Sequence, residues 1–174
     1  MGFENKVLSR EIQQILYESG KTLGTAESCT GGRIAESIIA VPGTSTYFKG
    51  SVIAYADEIK IKLLDVSSQL LEEKTAVCEE VAIAMVKGAV KTLNVDYAIS
   101  ATGVAGPGGG TKENPVGTIW LACGSADDVI TEKLEEDNGR AINIAIATRK
   151  AMQMLLQYLE TRGIHVENLP DDAI

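Results

Sequence analysis

Histidine is almost missing from this sequence. The only one, His165, lies in a polar tail near the C-terminus. A Ser-His-Asp triad, a histidine-ligated zinc site and an H-E-x-x-H helix all need histidine in the body of a fold. None is expected here, and a hydrolase built on this chain must take its base from elsewhere. Cysteine is scarce too: Cys29, Cys78 and Cys123 stand far apart, with no C-x-x-C pair. An odd count at such spacing fits neither a disulfide framework nor a zinc site, and points to reduced thiols in a cytoplasmic protein. Positive charge is in short supply: 16 Lys and Arg against 24 Asp and Glu leave −8. Nucleic acid and anionic membrane surfaces are therefore not expected partners. No run approaches the ~20 apolar residues of a membrane span. Met1 to Arg10 is charged and lacks the apolar core of a signal peptide.

What remains is an ordinary globular composition. The 174 residues are 45% apolar and 23% charged. A chain of this size buries about 69% of its unfolded surface, enough for a core without disulfides or a structural metal. No repeat, low-complexity block or linker interrupts it, so residues 1–174 are read as one domain with a frayed tail after Arg162.

Apolar periodicity predicts a helix over Asn5–Ser19, stopped by Gly20, and a short buried strand over Thr22–Ala26. A helix follows over Thr30–Ala40, opened by Gly31-Gly32 and closed before Pro42-Gly43. Phe48–Tyr55 reads as a strand, and Asp57 as the N-cap of a short helix through Leu64. Val66–Lys74 reads as a connector. Val77, Val81, Ala84, Met85, Ala89 and Leu93 mark a long helix ending near Asn94. Val95–Ser100 is a buried strand, and Thr102–Pro115 a glycine-rich loop. Val116–Cys123 and Val129–Glu136 are two strands whose short connection suits an antiparallel pair. Ile142, Ile146, Met152, Leu155, Leu156 and Leu159 mark the last helix. Alternating helices and strands predict an α/β layered domain with about five strands.

Four features carry possible chemistry. The stretch Ala26-Glu27-Ser28-Cys29-Thr30-Gly31-Gly32 sits at a strand-to-helix junction. Backbone N–H groups there bind anions, and glycines let a ligand approach. Ser28 is a candidate nucleophile; the plainer alternative is that Ser28 or Thr30 only caps the helix. The loop Gly103 to Gly110 follows a strand, where ligand loops lie in open α/β sheets. No Gly-Lys-Ser/Thr follows it and Lys112–Pro115 opens no helix, so it is neither a P-loop nor a dinucleotide fingerprint. Its plainer reading is a flexible connector. Tyr55 ends a strand, and Lys60 falls in the next first turn, where the helix dipole and burial lower an amine's pKa. A neutral lysine can take a proton from serine, although most lysines are solvated surface charges. Arg140, after Asn138-Gly139, opens the last helix and can grip a phosphate or carboxylate; otherwise it is a surface charge, with Asp137 or Asn138 the cap. Cys29, with no histidine to activate it, and Trp120, between apolar neighbours, are read as packing residues.

Together these pieces resemble the CinA C-terminal domain family. Thr25 to Gly32 (TAESCTGG), Tyr55 to Lys60 (YADEIK), Ser100 to Gly109 (SATGVAGPGG) and Pro115-Val116-Gly117-Thr118 carry the resemblance, which runs from about Val7 to Leu159. It implies a stand-alone, PncC-type nicotinamide-nucleotide amidohydrolase, since the chain has no room for the extra N-terminal domain of longer relatives. It implies a three-layer α/β/α sandwich with a mixed five-stranded sheet, often dimeric. The implied reaction converts nicotinamide mononucleotide to nicotinic acid mononucleotide and ammonia, with no cofactor or metal.

In that scheme Ser28 attacks the carboxamide, Lys60 is the general base, and Tyr55 orients it or relays the proton. Backbone N–H groups near Gly31-Gly32, or in the Gly103 to Gly106 loop, hold the oxyanion. Thr30 and Thr102 hydrogen-bond substrate or nucleophile, and Arg140 with the second glycine loop holds the 5′-phosphate. Two positions depart from the family pattern: Ile144 stands where relatives often carry a second arginine, and Asn114 where they often carry lysine. The competing readings are a non-catalytic nucleotide-binding module serving competence or damage response, and an amidase of another small carboxamide.

Overall fold

The structure, a computed structural model, describes residues 3–164. His165 and the tail beyond it lie outside the described residues. The chain runs α1 (Phe3–Ser19), β1 (Leu23–Glu27), α2 (Arg33–Ile38), a 3₁₀ turn (Thr44–Thr46), β2 (Phe48–Ile53), α3 (Asp57–Leu64), α4 (Ser68–Lys74), α5 (Glu79–Leu93), β3 (Tyr97–Gly103), β4 (Ile119–Gly124), β5 (Val129–Leu134) and α6 (Arg140–Thr161). The strands form one sheet in the order β2-β1-β3-β4-β5. β2, β1 and β3 are parallel, while β4 and β5 join antiparallel. This is the mixed five-stranded α/β architecture expected from the sequence.

Helices cover both faces. On one, α1, α2 and α6 pack Ile12, Leu16, Ile34, Ile38, Met152, Leu155 and Leu159 over Leu23, Ile99 and Leu121. On the other, α3, α4 and α5 pack Leu64, Leu71, Val81, Met85 and Val86 over Ala26, Val52, Ala98 and Ala122. Each fully buried side chain of the Leu, Ile, Val or Met type contributes roughly 1.5–3 kcal/mol. β1 is central and buried at all five residues, so its polar side chains need partners within the protein. The same holds for β3, where Ser100 Oγ donates to the Ala82 carbonyl at 2.7 Å.

Several boundaries differ from expectation: β3 runs Tyr97–Gly103, taking Thr102 and Gly103 from the expected loop, and three others have a clear local reason. α2 starts at Arg33 because Gly31 and Gly32 have φ of +57° and +95°, outside the helical region. The expected connector after Val66 contains α4, capped by Ser67, whose hydroxyl accepts from the Leu70 N–H at 3.3 Å. With Leu71 as its one buried residue, this helix has too little apolar repeat to read. β4 starts at Ile119 because Gly117, at φ +96°, belongs to a turn bonded back to Val104. Near the C-terminus, Ile164 packs against the core and Arg162 pairs with Asp128, so the chain is tied down two residues beyond the expected fray point.

Candidate active site

The carboxyl ends of β1, β2 and β3 share one edge of the sheet, since the three are parallel. The chain leaves β1 toward the α2 face and β2 toward the α3 face. That divergence opens a cleft at the strand ends, the usual ligand position in open α/β sheets. The cleft holds about 280 Å³ and is lined by Ser28, Tyr55, Asp57, Lys60, Thr102, the Gly103–Gly109 loop and Arg140. A larger hollow of about 360 Å³ between β5 and α6 offers no serine or cysteine, so chemistry rather than size selects the cleft.

Ser28 follows β1 directly and is 8% exposed. Its N–H donates to the Ala101 carbonyl at 2.9 Å, which fixes it against the end of β3. Its hydroxyl has no hydrogen-bond partner among the described residues. The Gly31 N–H donates to the Ser28 carbonyl at 3.1 Å, closing a turn over Ser28–Gly31. The central residues of that turn, Cys29 and Thr30, leave their N–H groups without an acceptor among the described residues. Ala105 and Gly106 do the same in the second loop.

Lys60 is 1% exposed. Long helical side chains lean back over the preceding turn, which carries the Lys60 amine to the start of α3 and into the cleft. There Nζ donates to the Tyr55 carbonyl and to Asp57 Oδ1, both at 3.2 Å. Lys60 and Ser28 thus share the cleft but make no direct hydrogen bond. Tyr55 holds the lysine through its backbone carbonyl; the residue is 62% exposed and lines the cleft. Asp57 is the first residue of α3 and caps nothing, the N-cap position being Ala56. Its carboxylate turns to Lys60 instead.

Several expected ligand contacts are used inside the protein. Glu27 is completely buried, and its carboxylate accepts from Thr25 and Thr30 hydroxyls and from the N–H groups of Gly32, Ile34 and Ala35, at 2.7–3.3 Å. This carboxylate occupies the N-terminus of α2. The Gly31 and Gly32 amides are therefore engaged and unavailable to an oxyanion, and Thr30 anchors the loop. Thr102 Oγ1 donates to the Ala76 carbonyl at 2.7 Å, holding the α4–α5 connection as a cleft wall. Arg140 opens α6 as expected, and its Nη1 donates to the Gly106 carbonyl at 2.8 Å. One N–H of five is used, and the guanidinium lines the cleft. Burial pushes the Cys29 thiol up to about 12, against the opposing pull of Lys60 and Arg140. It stays a packed thiol.

Glu27 and Asn143 were not singled out from the sequence, and Asp57 was read only as a helix cap. Asn143 is 3% exposed; its Nδ2 donates to the Ala105 carbonyl and Asp137 Oδ1, and its Oδ1 accepts from the Asn138 N–H. It ties the glycine loop to the start of α6. Its signal was a polar residue on an apolar helix stripe. Of the departures, Ile144 lies in the core and Asn114 outside the cleft lining.

Comparison with known proteins gives a consistent picture. The sequence pattern of the CinA C-terminal domain matches residues 5–159. The chain is 40% identical over 159 residues to a CinA-like protein of Cytophaga hutchinsonii, covering 91% of this chain and 38% of that protein. Against a CinA-like protein of Parasynechococcus marenigrum it is 40% identical over 160 residues, with the same 91% and 38% coverage. The chain thus spans about two-fifths of the length of these curated relatives. Among solved structures, the competence/damage inducible protein CihA of Agrobacterium tumefaciens superposes with a TM-score of 0.88 at 31% identity, covering 90% of this chain and 96% of that one. A CinA superfamily protein of Escherichia coli gives 0.86 at 34% identity, covering 91% and 94%.

Proposed function

The chain belongs to the CinA C-terminal domain family, and from that premise we propose that it is an amidohydrolase that deamidates nicotinamide mononucleotide. The observation that carries the reading is the pairing of Ser28, with an unengaged hydroxyl, and the buried Lys60 amine in one cleft at the parallel strand ends. A binding module has no need of a buried amine in the same cleft as an unengaged serine.

Ser28 Oγ attacks the carboxamide carbon while Lys60 takes its proton. The tetrahedral oxyanion is held by free backbone N–H groups. The Cys29 amide, next to the nucleophile, and those of Ala105 and Gly106 are the candidates. Lys60 returns the proton to the departing nitrogen, ammonia leaves, and a nicotinoyl ester remains on Ser28. Water then attacks that ester with Lys60 again as base, releasing the acid and restoring the serine. Arg140 and the glycine loop hold the phosphate at the rim. The scheme uses no metal.

Ammonia release from nicotinamide mononucleotide tests this directly. Wild type should turn over, while Ser28→Ala and Lys60→Ala should each lose about a thousandfold or more in kcat, Ser28→Ala with unchanged melting temperature and Lys60→Ala folded but less stable, because its buried side chain leaves a cavity. Turnover surviving Ser28→Ala would refute the nucleophile. Loss of the Arg140 guanidinium removes a charge-assisted contact, so Arg140→Ala should raise KM for the mononucleotide about 10- to 100-fold. Affinity for free nicotinamide, which has no phosphate, should not move. Equal effects on both ligands would remove Arg140 from the phosphate role.

A further inference from the structure

Asp57 has no function in the scheme above, yet its carboxylate touches the amine that scheme depends on. It is half-exposed, lines the cleft, and accepts from Lys60 Nζ at 3.2 Å. Their i,i+3 spacing on α3 brings the two side chains within reach, but no capping role holds the carboxylate there. The carboxylate makes no capping bond, and Lys60 is its only hydrogen-bond partner among the described residues. Nor is it a surface ion pair of the ordinary kind, because the lysine end is 1% exposed. A buried amine must have its hydrogens satisfied, and here two acceptors do so: the Tyr55 carbonyl and Asp57 Oδ1, each at 3.2 Å.

Those two acceptors have a chemical consequence. An amine acting as a base carries two N–H bonds and one lone pair on a tetrahedral nitrogen. With both hydrogens drawn to fixed acceptors, the lone pair is left the remaining direction. The cleft, where the Ser28 hydroxyl lies unengaged, is the polar side still open to it. One acceptor alone leaves the amine free to rotate about its Cε–Nζ bond and spread the lone pair over several directions. We propose that Asp57 is a positioning residue for the reaction: together with the Tyr55 carbonyl it fixes the rotation of the Lys60 amine so that its proton-accepting direction faces Ser28. The inference rests on the amidase reading above. It assigns Asp57 no contact with substrate, so its removal acts on the chemical step and not on binding.

The test is a comparison of Asp57→Ala, which removes the acceptor, with Asp57→Asn, which keeps an acceptor oxygen at the same place but not the charge. Steady-state ammonia release from nicotinamide mononucleotide is followed, with thermal melting as a control for folding. The rate at which a fluorophosphonate labels Ser28 is a second readout that needs no correct substrate. For Asp57→Ala the expected result is a fall of about 10- to 100-fold in kcat and in labelling rate, with KM within threefold of wild type. Asp57→Asn should recover most of that loss. Asp57→Ala indistinguishable from wild type in both readouts overturns the proposal. So does Asp57→Asn as impaired as Asp57→Ala, because the acceptor geometry is then not what matters. A loss expressed in KM alone overturns it as well. The amidase reading fails separately: wild type that neither releases ammonia nor labels above the Ser28→Ala blank removes the serine–lysine chemistry and this inference with it.

Discussion

Glu27 is the residue on which the loop carrying Ser28 depends. A carboxylate at a helix N-terminus meets unsatisfied N–H groups and a favourable dipole. Glu27 supplies that charge from within the chain, accepting from three backbone amides and two hydroxyls. An external anion has no room at the same place, which leaves Arg140 and the second loop for the phosphate of the proposed substrate. Glu27→Ala strands those donors in the interior, and the expected cost is at least about 3 kcal/mol. In a domain of this size that lowers Tm by roughly 6–12 °C, which a thermal melt reads directly. The cysteines give a second check. Cys29 and Cys123 are buried, and burial pushes both thiols up to about 12. At pH 8 both stay as neutral thiols, the unreactive form. Cys78 is partly accessible, so alkylation of the native protein should modify Cys78 alone, and unfolding should release the other two. Modification of Cys29 in the folded state would contradict its packed position. Ser28, Lys60 and Arg140 were legible as residue types at junctions. The partners Glu27 and Asp57 were not, because a carboxylate beside a loop looks the same whether it faces water or a neighbour.

At the scale of elements, the cleft depends on how α3 and α5 approach each other. Gly88 lies inside α5, where glycine ordinarily costs about 1 kcal/mol relative to alanine. Here a Cβ would stand 2.0 Å from the Leu64 carbonyl oxygen at the end of α3. Gly88→Ala should therefore destabilise by roughly 1–3 kcal/mol through overpacking, the reverse of the helix-propensity expectation. Denaturant unfolding with an unchanged m-value decides the sign. α3 carries Lys60 and Asp57 at its start, so the same variant should also lower kcat. The glycine loop after β3 was expected to be either functional or flexible. It is held at its ends, by the Val104 N–H to the Thr118 carbonyl, the Gly117 N–H to the Val104 carbonyl, and Arg140 and Asn143 side chains on Gly106 and Ala105. Every one of these contacts joins residues distant in sequence, which is why composition alone left the choice open.

For the whole molecule, β1 and β3 are clasped at the end opposite the cleft. Asp96 Oδ2 accepts from the Thr22 N–H and hydroxyl, both at 2.8 Å, and Oδ1 accepts from Lys21 at 3.1 Å. Burial is the largest single influence on the Asp96 carboxyl and pushes it up. The Thr22 hydroxyl, the Thr22 amide and Lys21 together outweigh it, so the group titrates below the usual aspartate value. A depressed folded pKa contributes stability above the unfolded value near ~3.9, lost as pH falls through the folded one. Asp96→Asn should therefore lower Tm at pH 7, and the gap to wild type should close as pH falls below about 4. A gap that stays constant with pH would assign the loss to geometry instead of charge. No described helix is long and apolar enough to cross a membrane, as the hydropathy of the sequence implied.

Order of elements apart from α4, the mixed sheet and the family were already determined by the sequence, because periodicity, turn residues and motif spacing are local properties of the chain. The strand-to-helix junctions carrying Ser28, Lys60 and Arg140 were determined in the same way. Only the tertiary structure decided which polar groups remain open to a ligand. Burial of Glu27 turned an apparent anion site at α2 into a satisfied one, and the turn of α3 beneath β2 brought Asp57 and the Tyr55 carbonyl to one amine. Hydrogen bonds are directional and short, so which donor meets which acceptor is set by the packing of whole layers and not by spacing along the chain.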